Sequence, residues 1–117
     1  MNNIQISRNF KLREFQCQEG QEVKLDAELL QKLQALRDKV GKPIVITSGY
    51  RTPTYNKKIG GAPKSQHVEG KAADIRINGL SPKQVAKLAE EVGFRGIGTY
   101  STFTHVDIRE NPARWNG

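Results

Sequence analysis

The 117-residue chain carries 19 Lys+Arg against 12 Asp+Glu, a formal net charge of +7, and 36% apolar residues. No apolar run reaches the roughly 18–20 residues of a membrane span, so membrane insertion is not expected. Cys17 is the only cysteine, which excludes an internal disulfide and a cysteine-built zinc site.

The length suits one domain over residues 1–117 with one core. The positive charge favours anionic partners such as nucleic acid, anionic lipid or acidic wall polymers. It is scattered, however, with no block of five, and lacks the clustered stripe of a nucleic-acid binder. No nucleic-acid partner is expected, and a monomer is. The start, Met1-Asn2-Asn3-Ile4-Gln5, has no basic-then-apolar leader pattern. The chain is therefore expected to stay in the cytoplasm, to leave by another route, or to be a domain cut from a longer protein.

Residues 1–24 read as an N-terminal arm with a turn or two of helix, pinned to the domain by Phe10 and Phe15. Asp26 suits a helix cap. Leu29, Leu30, Leu33, Leu36 and Val40 then recur at three- and four-residue spacing. Gly41 and Pro43 end that helix. Residues 44–47, Ile-Val-Ile-Thr, are a β-branched strand, followed by a loop over Ser48-Gly49-Tyr50-Arg51-Thr52-Pro53 and a short helix over 54–59. Residues 60–71 hold three glycines and a proline and read as a long surface loop. In a small domain such a loop is usually functional or disordered.

Residues 72–77 alternate as a second strand. Ser81-Pro82 starts a helix with a cap and a proline at its first position, and Gly93 stops it. Residues 96–100 and 103–109 read as two strands joined by a tight turn, with Trp115 packed back on the sheet. The expected architecture is α+β: an antiparallel sheet of about four strands with helices on one side.

The chain has two histidines, His67 in Ser-Gln-His-Val-Glu-Gly-Lys-Ala-Ala-Asp and His105 in Phe-Thr-His-Val-Asp-Ile-Arg. Two imidazoles and a carboxylate suit a catalytic zinc that keeps its fourth position for water. On one helix His67 and Asp74 would stand about 10.5 Å apart along the axis, too far for one ion. His67 is therefore expected in the glycine-rich loop and Asp74 on the strand after it, with Gly70 permitting the turn. By strand alternation Phe103, His105 and Asp107 share one face. Residue types alone leave open the reading of two hydrogen-bonded structural histidines.

Ser48-Gly49-Tyr50-Arg51-Thr52-Pro53, Asn56, Gly60-Gly61-Ala62, Ser65-x-His67-x-x-Gly70-x-Ala72-Ala73-Asp74 and His105-Val106-Asp107 together resemble the zinc peptidases of bacterial cell walls. These are the D-alanyl-D-alanine carboxypeptidases, L,D-endopeptidases and phage endolysins of the Hedgehog-like metallopeptidase fold. The likeness runs from about Phe10 to Trp115. It implies Zn2+ held by His67, Asp74 and His105, and peptidoglycan stem peptides as substrate. It also implies action at the cell wall, as a host enzyme, a phage lysin or an excised domain. It gives Arg51 the scissile carbonyl or carboxylate and Ser65 a hydrogen bond that positions the His67 loop. Ser48 and Tyr50 would line the cleft, Tyr50 alternatively belonging to the core.

One departure stands out. Known members carry the general-base carboxylate three residues before the last histidine, where this chain has Thr102. Asp107 is the replacement candidate, with orienting a ligand histidine or holding Arg51 as its alternatives, and Glu69 is a more distant one. Two rivals remain: a non-catalytic wall-peptide binder of the same fold, favoured by Thr102, and a small basic nucleic-acid binder, which gives the His/Asp spacing no role.

Overall fold

The computed structural model describes residues 2–117. The arm is a two-stranded antiparallel ribbon, β1 (Gln5–Ser7) and β2 (Phe10–Lys11), running into a single 3-10 turn at Leu12–Phe15. Phe10 and Phe15 are fully buried in the core, their rings 5.8 Å apart.

Helix α1 (Ala27–Val40) begins where expected. Asp26 accepts from the Glu28 amide at 2.8 Å, and Gly41 closes the helix in the left-handed region at φ 66°, a conformation glycine adopts without steric cost. Strand β3 (Val45–Ser48) follows, then α2 (Pro53–Lys58), capped by Thr52. After the loop come β4 (Ala72–Arg76), α3 (Pro82–Glu91), β5 (Gly96–Thr99), β6 (Thr104–Asp107) and β7 (Ala113–Asn116). A reciprocal Ser81–Gln84 capping box starts α3, satisfying two amides that the helix itself leaves free.

The main sheet has five strands in the order β3-β4-β6-β5-β7. The α+β class holds, and the sheet is mixed rather than antiparallel throughout. β7 is a fifth strand, and it pairs parallel to β5. One face carries Ala73, Ile75, Ile97 and Val106 against Leu29, Leu33 and Leu36 of α1 and Val85 and Ala89 of α3. Short α2 adds nothing to that core; its one buried residue is Asn56, and it stands beside the sheet's other face. No helix among the described residues is long and apolar enough to cross a membrane.

Candidate metal centre

The second face of the sheet is polar, and strand register assembles it. Ser48 pairs with Asp74, Asp74 with His105, His105 with Gly98, and Gly98 with Trp115. One row thus crosses all five strands. Directly opposed residues on one face bring their Cβ atoms to about 4.5–5.5 Å, so Asp74 and His105 meet although 31 residues separate them. A register shift between Ile46 and Ser48 sets Ser48, not Thr47, opposite Asp74. Such a bulge re-aims side chains beside a site.

His67 arrives from the loop between α2 and β4. Successive turn hydrogen bonds, from Ser65 to Ala62, Val68 to Ser65 and Gly70 to His67, fold that loop tightly. Gly70 sits at φ 71°, and a Cβ there would lie 2.6 Å from the Lys24 carbonyl oxygen. Ser65 Oγ accepts from the His67 amide at 3.2 Å, and the His67 carbonyl accepts from the Arg51 amide at 3.2 Å.

His67, Asp74 and His105 are all buried, with ligand-capable atoms within 4.8 Å of one another. His67 Nε2 lies 3.2 Å and His105 Nδ1 3.0 Å from the same oxygen, Asp74 Oδ1. Each ring's other nitrogen has its own acceptor. His67 Nδ1–H donates to the Gly49 carbonyl at 2.7 Å, and His105 Nε2–H to Asp107 Oδ2 at 2.7 Å. A neutral imidazole has one N–H only. With that proton placed outward on both rings, two lone pairs and a carboxylate oxygen converge in a buried pocket. Three acceptors facing one another require either extra protons or a cation between them.

Without a cation, an extra proton must sit between these atoms; burial opposes ionisation of Asp74, but hydrogen bonds from the His105 and His67 rings then outweigh it and hold the carboxyl below the usual carboxylate range. Burial likewise disfavours a charged His105, and its bonds to Asp107 and Asp74 outweigh this and raise its pKa.

Arg51 closes one side. Its Nε donates to Ser48 Oγ (3.2 Å), Nη1 to Asn56 Oδ1 (3.3 Å) and Nη2 to Asp74 Oδ2 (3.2 Å). Asn56 in turn donates to the Ala62 carbonyl at 2.8 Å, so one amide braces both the guanidinium and the loop. A guanidinium has five donors, and two of Arg51's remain for a ligand. A cleft of about 510 Å³ opens over the cluster between the 60–67 loop and an aromatic wall of Tyr100, Phe103 and Trp115. Tyr100 and Phe103 stack at 4.5 Å, and Trp115 Nε1–H donates to the Tyr100 hydroxyl at 2.9 Å.

The expected site residues divide as follows. His67, Asp74, His105, Arg51 and Ser65 line the cleft. Ser48 touches it only through Arg51. Tyr50 is outside it: its amide binds the Phe15 carbonyl, and burial, with Glu22 and Cys17 nearby, raises its hydroxyl pKa. Asp107 is not in the cleft either. Its carboxylate is fully buried behind the His105 ring, with its oxygens taken by His105 and Arg109. Of the readings offered for it, base, partner of Arg51 or orienter of a ligand histidine, these contacts favour the last. Glu69 is exposed and away from the cleft, and Thr102 lies at a different pocket beside Ile75 and Pro82. Among the described residues, Asp74 is the only acidic one lining the cleft.

Arg109 carries no role in the sequence reading, and Trp115 only that of packing back on the sheet, not of lining the site. Arg109 follows Asp107 by two and so falls on the same strand face, a signal alternation offers. Trp115 reaches the site only through the parallel β5–β7 pairing.

A His-Asp-His cluster on a sheet face, braced by a guanidinium, defines a site class that the comparisons identify. The Peptidase M15 family profile matches residues 8–108, and the chain belongs to that family. It is 34% identical over 99 residues to the peptidoglycan L,D-endopeptidase MepK of Escherichia coli K12, covering 77% of this chain and 53% of that protein. A probable MepK of Haemophilus influenzae is 32% identical over 103 residues, covering 80% and 55%. The zinc D-Ala-D-Ala carboxypeptidase of Streptomyces albus G is 37% identical over 81 residues, covering 64% and 32%. The chain spans about half the length of the MepK proteins it matches.

Proposed function

We propose that this chain is a zinc-dependent peptidase hydrolysing amide bonds in the peptide stems of peptidoglycan at the bacterial cell wall, of the carboxypeptidase or endopeptidase type. The observation that carries the reading is the convergence of His67 Nε2, His105 Nδ1 and Asp74 Oδ1 with both outward ring nitrogens already engaged. That donor set fits zinc, and the named relatives supply the substrate class. Bound there, zinc would polarise the scissile carbonyl and bring the pKa of a water toward about 7.

The chain's own residues do the rest. Arg51 offers two free N–H donors where negative charge develops on the carbonyl oxygen, and its attachment to Asp74, Ser48 and Asn56 fixes them in advance. The aromatic wall gives an extended peptide an apolar side, and the 60–67 loop gives it a polar one. Asp107 takes no proton-accepting role, since both its oxygens are engaged. The net charge of +7 holds the chain near the anionic wall.

A second reading, a wall-peptide binder that does not cleave, is favoured by one observation: among the described residues Asp74 is the only carboxylate in the cleft. Two measurements decide between them. The purified chain is expected to hold one zinc, lost in His67→Ala, and to release peptides from purified sacculi in a chelator-sensitive way. Undiminished zinc in His67→Ala would remove His67 from the site. Sacculus binding with zinc present but no released peptide or new terminus would favour the binder.

A further inference from the structure

The row behind the metal cluster has its own construction. Asp107 pairs with Ala72 on one side and Gly96 on the other, so its carboxylate lies between two small neighbours. A Cβ on Gly96 would come within 2.0 Å of Asp107 Oδ1. The carboxylate therefore occupies space that any other residue at position 96 would take. Arg109 holds it from outside: its backbone amide donates to Oδ1 at 3.0 Å, Nε to Oδ1 at 2.9 Å and Nη2 to Oδ2 at 2.6 Å. The guanidinium itself rests on the Trp115 ring, 4.8 Å from its centroid. Every contact leaves Oδ2 aimed at His105 Nε2.

Resting on the zinc reading above, we propose that Asp107, clamped by Arg109 in the space Gly96 leaves open, is a positioning residue that keeps the His105 proton on Nε2 and Nδ1 free for the metal. A carboxylate is the right group. Held by a guanidinium it stays ionised and can only accept, so the imidazole nitrogen facing it must donate. The donated bond also makes Nδ1 more basic, and outer partners of this kind are worth about 10–100-fold in metal affinity. A plain structural ion pair closing the end of β6 would stabilise the fold without reaching the metal.

The two roles separate by measuring zinc affinity against a competing chromophoric chelator beside the thermal unfolding of the zinc-free protein. Asp107→Asn keeps the shape but loses the charge, and its NH2 cannot accept: it must either face the two Arg109 N–H groups that Oδ1 now serves or turn toward His105 Nε2. Its zinc affinity is expected to fall about 10–100-fold. Arg109→Gln leaves the carboxylate but frees it to turn, and is expected to move affinity in the same direction by less. Both variants are compared only after far-ultraviolet circular dichroism shows a wild-type fold. Should Asp107→Asn be unable to fold, Arg109→Gln alone carries the test, and its unchanged zinc affinity overturns the proposal. Lowered stability with wild-type zinc affinity in either folded variant also overturns it. Absence of stoichiometric zinc in the wild-type chain is a different result and sinks the zinc reading itself.

Discussion

Arg51 is the residue whose chemistry reaches furthest into the cleft. Three hydrogen bonds tie it to Ser48, Asn56 and Asp74, so its remaining donors are aimed before a ligand arrives. Lysine keeps the charge but not the planar fork. Arg51→Lys is expected to lower kcat about 100-fold, the usual effect of removing one oxyanion donor, with zinc content unchanged. A mutant that lost only substrate affinity, kcat intact, would show that Arg51 binds the ground state alone. At this scale sequence reading worked where chemistry is scarce: with only two histidines, both had to be weighed. It left the role of Asp107 open between base and orienter of a histidine, because alternation places a side chain on a face but does not say which atoms beside it are already bonded.

Elements are held in place by pairs as well as by apolar packing. Glu28, in the first turn of α1, receives Nη1 and Nη2 of Arg95 at 2.7 and 3.1 Å. Arg95 also donates to the Ile108 and Arg109 carbonyls at 2.6 and 2.5 Å. One guanidinium thus joins the start of α1 to the chain leaving β6. The Arg95 hydrogen bond depresses the Glu28 pKa below its ordinary 4.5 despite an opposing desolvation effect. A depressed carboxyl contributes stability above its unfolded pKa and loses it as pH falls through the folded value. Glu28→Gln is therefore expected to melt below wild type at neutral pH, with the gap closing once pH drops below about 4. A gap that persists in acid would assign the loss to packing. The elements themselves were legible where local signals were complete, as in α1 with its cap, stripe and terminal glycine. β7 was not: Arg114 and Asn116 flank Trp115, and its strand character comes from pairing parallel to β5.

For the whole molecule, the N-terminal arm connects the core to the metal cluster. The Phe15 ring is fully buried, and its backbone lies so close to Gly49 that a Cβ there would come within 2.7 Å of the Phe15 carbonyl oxygen. Gly49 in turn supplies the carbonyl that holds His67 Nδ1. Phe15→Ala is expected to cost about 3–5 kcal/mol, read by denaturant unfolding as one transition. A loss below about 1 kcal/mol, or a separate early transition, would mean that the arm peels away on its own. The scattered net charge of +7 adds no structure, and its effect is limited to attraction toward anionic surroundings.

Spacing and residue type were enough to establish the α1 and α3 helices, the strand–loop–strand course around His67 and Asp74, and the shortlist of metal-capable side chains. These depend on periodicity, caps and covalent reach, which are local. The mixed sheet, the row from Ser48 to Trp115, the burial of Asp107 behind His105 and the bracing of Arg51 by Asn56 were decided only by tertiary structure. Each depends on which strand lies beside which, and in what register. That pairing is a property of the packed molecule, set by the summed burial of both sheet faces.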